Sequence, residues 1–126
     1  LYTMANSIKK NRSVLIPAKP LYRDFIFITD AVDAILKAVK FRTRNIERFN
    51  ISNSQRVNFA SLVGWLKHII SFQISVVKKG DPPPLYSTFA DTSRAAKFLD
   101  FRPRVTFSKG LSETMASYGL LDRDSK

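Results

Sequence analysis

The feature that most constrains the fold is a repeated change of hydrophobic period. Short runs of consecutive apolar residues alternate with stretches in which apolar side chains recur every three or four positions. Val14-Leu15-Ile16 is one such run, stopped by Pro17 and Pro20, and reads as a buried strand entering a loop. Phe25, Ile26, Phe27 and Ile28 favour a second strand over Arg23 to Ile28. From Asp30 to about Lys40 the period becomes helical, with Val32, Ile35, Leu36 and Val39 on one face and Thr29 or Asp30 placed to cap the first amides. Arg48 to Ser52 predicts another strand. Asn58 is placed to cap a second helix with Phe59, Leu62, Val63, Leu66 and Ile70 as its buried stripe. Gln73 to Val77 is a third strand candidate. Helices follow from about Asp91 to Leu99 and after Thr106, the last using Leu111, Met115 and Tyr118, and Tyr2 to Lys10 reads as the end of a helix with Met4 and Ile8 on one side. Strands alternating with helices indicate an α/β fold.

No internal repeat or linker interrupts this pattern, so residues 1–126 are expected to form one domain. Gly80-Asp81-Pro82-Pro83-Pro84 is not regular structure, because three prolines remove three donors and fix the backbone. At 126 residues the chain has room for a limited core, but not for a dinucleotide-binding domain and a substrate domain together. It has no run of about 18 apolar residues, the length a membrane span needs. Leu1 to Lys10 lack the basic start and apolar stretch of a signal peptide, and the chain reads as a segment whose beginning is missing. The absence of cysteine excludes disulfides, thiolate metal sites and a cysteine nucleophile; it fits a reducing compartment, with the cytoplasm the expected location.

The net charge of +11 makes nucleic acid the first polyanion to consider. Part of it lies between Lys37 and Arg48, where Lys37, Lys40, Arg42, Arg44 and Arg48 face only Glu47. The same run also reads as a solvated helix end, with Lys37 and Lys40 complementing the helix dipole. Against a nucleic-acid module, most aromatic residues stand at core-like spacing rather than interleaved with the charges.

Catalytic patterns are missing. The four glycines, at 64, 80, 110 and 119, form no phosphate-binding or dinucleotide-binding loop. His68 has no metal-ligand companion and lies off the apolar stripe of its helix, which predicts a solvent-facing side chain. There is no Gly-x-Ser-x-Gly elbow, and the carboxylates have no spacing suited to acid/base work.

Three stretches, in order, carry a resemblance. Arg23-Asp24-Phe25-Ile26-Phe27-Ile28-Thr29-Asp30-Ala31-Val32 resembles the Arg-Asp-Phe-x-Tyr-Val-x-Asp-x-Val signature of extended short-chain dehydrogenases acting on nucleotide sugars. Phe49-Asn50-Ile51-Ser52-Asn53-Ser54 is similar to that family's Tyr-Asn-Ile-Gly-Asn-Ser segment. Gly80-Asp81, Phe89-Ala90-Asp91-Thr92-Ser93-Arg94-Ala95, Leu99-Asp100-Phe101-Arg102-Pro103 and Lys109-Gly110-Leu111 are similar to its closing segments. The resemblance runs over almost the whole chain. It implies the substrate-binding, carboxyl-terminal portion of a Rossmann-type enzyme of the NAD-dependent epimerase/dehydratase family, most like UDP-glucuronate 4-epimerases, with the amino-terminal glycine-rich unit missing.

The family pattern implies that Arg23 contacts the diphosphate of a UDP-sugar, a task suited to the forked guanidinium. An intradomain salt bridge with Asp24 is the alternative. Lys78 stands where many relatives carry a second phosphate-binding arginine, and Asp81 matches an acid that receives a ribose hydroxyl, or else is a turn-forming Asp beside proline. Asp30 and Asn50 are expected to be structural, as a helix cap and a strand-end hydrogen bonder. NAD belongs to the complete family architecture, and none is expected to bind this chain alone, since none of its tyrosines opens a Tyr-x-x-x-Lys pair. Implied partners are an amino-terminal Rossmann domain or a full-length relative; a homodimer is also compatible. Separated from such a partner, apolar stripes on at least two helices would lose some of their cover.

The chain departs from the family pattern in several places. Ile16-Pro17-Ala18-Lys19-Pro20 replaces a glycine-containing turn near the base, Ser52 and Asp100 replace glycines, and the stretch from Asp81 to Asp91 is about three residues longer than usual. Two other readings stay open beside the epimerase portion: a small basic nucleic-acid-binding module, and a catalytically dead remnant that associates with a full-length relative.

Overall fold

A computed structural model of the chain describes residues 1–79 and 87–121. The elements, in order, are α1 (Tyr2–Asn11), β1 (Ser13–Pro17), β2 (Tyr22–Asp24), α2 (Ile28–Lys40), β3 (Arg56–Asn58), α3 (Phe59–Ile69), β4 (Ser75–Lys79), α4 (Ser93–Leu99) and α5 (Phe107–Ser117). β1 pairs in parallel with β4, Ser13 opposite Ser75 and Pro17 opposite Lys79. β2 pairs antiparallel with β3, Tyr22 opposite Asn58 and Asp24 opposite Arg56. The α/β pattern expected from the alternating periods is the one observed.

Two apolar clusters hold these elements. The larger joins Met4, Ala5 and Ile8 of α1, Val14 of β1, the α3 stripe Leu62, Val63 and Leu66, and Phe107, Leu111 and Met115 of α5. Each fully buried Leu, Ile or Met side chain contributes about 1.5–3 kcal/mol, so this cluster carries most of the stabilisation. Two of the helices that build it begin at side-chain caps, α3 at the expected Asn58. Asn58 Oδ1 accepts from the Ala60 amide at 2.8 Å, and Thr106 Oγ1 from that of Lys109 at 3.4 Å. Gly110 lets α5 lie against Phe27, because an added Cβ would sit 3.0 Å from the Phe27 ring. The smaller cluster gathers Ala34, Ala95, Leu99 and Phe101, with Ile26, Phe41, Phe49 and Ile51 against it.

Four expectations are corrected. The strand proposed from Arg23 to Ile28 is shorter, Tyr22–Asp24, because Phe25 and Ile26 turn into the two clusters and Ile28 already begins α2. Arg48 to Ser52 forms no strand and joins no sheet among the described residues; Phe49 and Ile51 instead pack on the smaller cluster. Neither Thr29 nor Asp30 caps α2, whose N-cap is Phe27 with no side-chain bond. Asp30 is buried, and its Oδ2 accepts from the amides of Arg104 at 3.0 Å and Val105 at 2.9 Å, tying α2 to the entry of α5.

The apolar stripe of α2 faces outward. Ile28, Val32, Ile35, Leu36 and Val39 are all exposed, Ile35 at 62% and Val39 at 78%. A contiguous stripe of this kind is unusual on a finished surface. The departures from family glycines are accommodated locally. Asp100 takes the left-handed conformation that closes α4, with φ 49°, and Ser52 is buried with its hydroxyl accepting from the Ser54 amide.

Asp30→Ala removes an acceptor from two backbone amides beside a buried position. It is expected to lower stability by about 2–4 kcal/mol, read from urea unfolding; a loss below about 0.5 kcal/mol would mean that water serves those amides as well.

Candidate functional site

The parallel pair sets one edge of the site. In such a pair both carboxyl ends point the same way, and ligands of open α/β sheets bind outside those ends. Here that edge carries Ile16 and Pro17 of β1 opposite Lys78 and Lys79 of β4. Two connections leave it. Residues 18–21 lead from β1 into β2, and β4 leads into residues 80–86, which lie outside the described part. Chain placement resumes at Ser87, whose hydroxyl accepts from the Tyr22 amide at 3.2 Å, while the Thr88 amide donates to the Tyr22 carbonyl at 3.2 Å. The connection 18–21 therefore runs from the end of β1 to the start of β2, and Ser87 and Thr88 lie against Tyr22, next to Arg23.

Arg23 is half-buried in the middle of β2, opposite Val57, and one guanidinium nitrogen donates to the Tyr22 carbonyl at 3.1 Å. Asp24 is tied to the backbone: Oδ1 accepts from the Gln55 amide at 3.4 Å and Oδ2 from that of Ala90 at 3.3 Å. It thereby holds β2, the approach to β3 and the segment after residue 87 in one place. Lys78 is exposed in β4 beside Ile16. Asp81 and Gly80 lie outside the described residues.

The neighbouring loops are organised by short polar contacts. Asn50 Nδ2 donates to the Asp91 carbonyl at 3.1 Å, and the Ser54 and Thr92 hydroxyls are 2.8 Å apart. Asn50 thus does bond a neighbouring segment. The Ser93 amide, and then its hydroxyl, hold the Asp91 carboxyl below the usual carboxylate range. His68 is exposed, and among the described residues no group of His, Asp and Glu could hold a metal ion. No helix among them is long and apolar enough to cross a membrane.

The residues present do not fit a dinucleotide. That cofactor needs a strand, a glycine-rich turn and a helix N-terminus in succession. β1 runs instead through Pro17-Ala18-Lys19-Pro20 into a strand, and β4 into the proline-rich stretch.

Comparison with known proteins places this geometry. No family model matches the chain. An uncharacterized protein of Methanocaldococcus jannaschii is 32% identical over 93 residues, an alignment taking in 71% of this chain and 27% of that protein. The UDP-glucuronic acid 4-epimerase of Bacillus cereus, solved with UDP-glucuronic acid and NAD, superposes with a TM-score of 0.80 at 21% identity, covering 92% of this chain and 38% of that one. The ADP-L-glycero-D-manno-heptose-6-epimerase of Helicobacter pylori superposes with a TM-score of 0.80 at 20% identity, covering 94% and 37%. The chain thus spans about a quarter of the curated relative and under two fifths of these two solved proteins.

The role of Asp24 as a clasp has a direct consequence. In Asp24→Ala, hydrogen exchange at the Gln55 and Ala90 amides is expected to quicken about tenfold, the equivalent of ~1.4 kcal/mol. Unchanged exchange at both would show that other contacts hold the segment.

The chain has the α/β fold of the carboxyl-terminal part of extended short-chain dehydrogenases of the NAD-dependent epimerase and dehydratase family.

Proposed function

We propose that this chain is the nucleotide-holding portion of a nucleotide-sugar epimerase or dehydratase, with a UDP-sugar as its ligand and 4-epimerisation as the reaction of the complete enzyme. The observation that supports this reading is the carboxyl edge of β1 and β4: Lys78 sits on that edge, and the short connection 18–21 leads from it into β2, which carries Arg23. The family signature around Arg23, and the Bacillus cereus enzyme solved with UDP-glucuronic acid, support a diphosphate as what these cations receive.

In this reading Arg23 grips the diphosphate through two parallel N–H donors, and Lys78 adds a compact positive charge without the planar fork. Asp81 receives a ribose hydroxyl. The base is met by Ile16-Pro17-Ala18-Lys19-Pro20, which lacks the glycine-containing turn of the family pattern. The Helicobacter pylori enzyme, named for an ADP-sugar, has the same fold, so selectivity for uracil rests on this stretch.

Chemistry would lie elsewhere. The complete enzyme supplies hydride exchange from NAD on an amino-terminal dinucleotide-binding unit, and this chain's residues bind and orient the nucleotide. The exposed face of α2 is where we place the docking of that unit. Its five outward aliphatic residues await an apolar partner.

Calorimetric titration with UDP-glucuronic acid tests the binding claim. The chain is expected to bind it, and Arg23→Ala to weaken binding at least tenfold, in line with about 1.5–3 kcal/mol for a hydrogen bond to a charged group. Equal affinity of the variant, or no binding by the parent chain, would contradict the assignment.

A further inference from the structure

Successive side chains of a strand alternate between faces, so Tyr22 stands on the face of β2 opposite to Arg23. Beside β2 and β3 a hollow of about 310 Å³ is lined by Tyr22, Arg56, Asn58, Ser61, Trp65 and Phe107 among others. The nucleotide-sugar reading uses none of the aromatic rings here.

These rings are rigid yet open to solvent. Trp65 is 41% exposed although its indole lies tilted on Phe107, with centroids 5.2 Å apart, and Phe107 in turn packs on Phe25 at 5.4 Å. Phe89, 50% exposed, lies beneath the Arg56 guanidinium, which is 4.7 Å from its ring centroid. Aromatic surface left in water forgoes stabilisation that burial would give. Here it is combined with a stacked arginine and a polar rim from Asn58 and Ser61, on a chain whose net charge is +11. The sequence pattern alone set the aromatics apart from the charges, whereas the fold brings Arg56 onto Phe89 and both rings to the surface.

We propose that this hollow binds single-stranded nucleic acid. One base stacks on Trp65 and another on the Phe89–Arg56 pair, while the basic surface draws in the phosphates. A neutral sugar ring would use the same aromatic faces, but it gives no role to the positive charge. This inference is independent of the UDP-sugar reading, because it uses neither Arg23 nor Lys78.

Trp65 is the only tryptophan of the chain and therefore reports on its own contact. Addition of a short oligothymidylate at low salt is expected to quench its fluorescence in a saturable way, with affinity falling as salt is raised. Phe89→Ala, which keeps the reporter, should weaken binding about tenfold, as should Trp65→Leu followed by anisotropy of a labelled oligonucleotide. Circular dichroism would verify that both variants are folded. Two results would overturn the proposal. One is no quenching, or quenching by a neutral oligosaccharide in place of the oligonucleotide. The other is wild-type affinity in both variants with full competition by inorganic polyphosphate, which would reduce the effect to charge alone.

Discussion

The parallel pairing of β1 with β4 is the constraint on which the rest of this structure depends. Strands so far apart in sequence close into a parallel pair only when the chain between them crosses over the sheet. In this chain the crossover contains β2, α2, β3 and α3. The entropic cost of that closure is offset by the apolar cluster it gathers, in which Val14 of β1 meets Ile8 of α1 and Leu62 and Leu66 of α3. The same pairing brings the carboxyl ends of β1 and β4 to one edge. Lys78 stands there, and the connection 18–21 leads from there to β2 and Arg23.

The helices were legible where the sequence carried both a stripe and a stop. Asn58 caps α3 as its position predicts, α5 follows Thr106 as expected, and the stripes of Leu62, Val63 and Leu66 and of Leu111 and Met115 are buried. The strands were less legible, since strand identity depends on a partner. Arg48 to Ser52 has the composition of a strand, but no strand among the described residues pairs with it. Phe25 to Ile28 is apolar because it bridges two clusters rather than because it lies in a sheet. Asp30 was placed correctly as structural and wrongly as a cap. Its partners, the amides of Arg104 and Val105, are remote in sequence, and no local pattern announces them.

The candidate site divides in the same way. Arg23 and Lys78 were singled out through the family motif; the register of β1 and β4 puts Lys78 on the edge of that pair, while Arg23 lies in β2 opposite Val57. Asp24 was read only as a neighbour that could neutralise Arg23, whereas its carboxylate accepts from two backbone amides and fixes the segment after residue 87. The outward stripe of α2 is a different kind of feature. Its periodicity is that of a buried face, and the fold leaves it open. Apolar periodicity records what a helix must eventually cover, not which part of the molecule covers it.

The central claim is that a nucleoside diphosphate sits at the carboxyl ends of β1 and β4. Amide NMR spectra of the isotope-labelled chain titrated with UDP test it most directly. The account predicts shifts concentrated on Ile16 through Asp24 and on Val77 through Asp81. Shifts centred on α3 or α5, or a spectrum that does not respond to UDP, would contradict it.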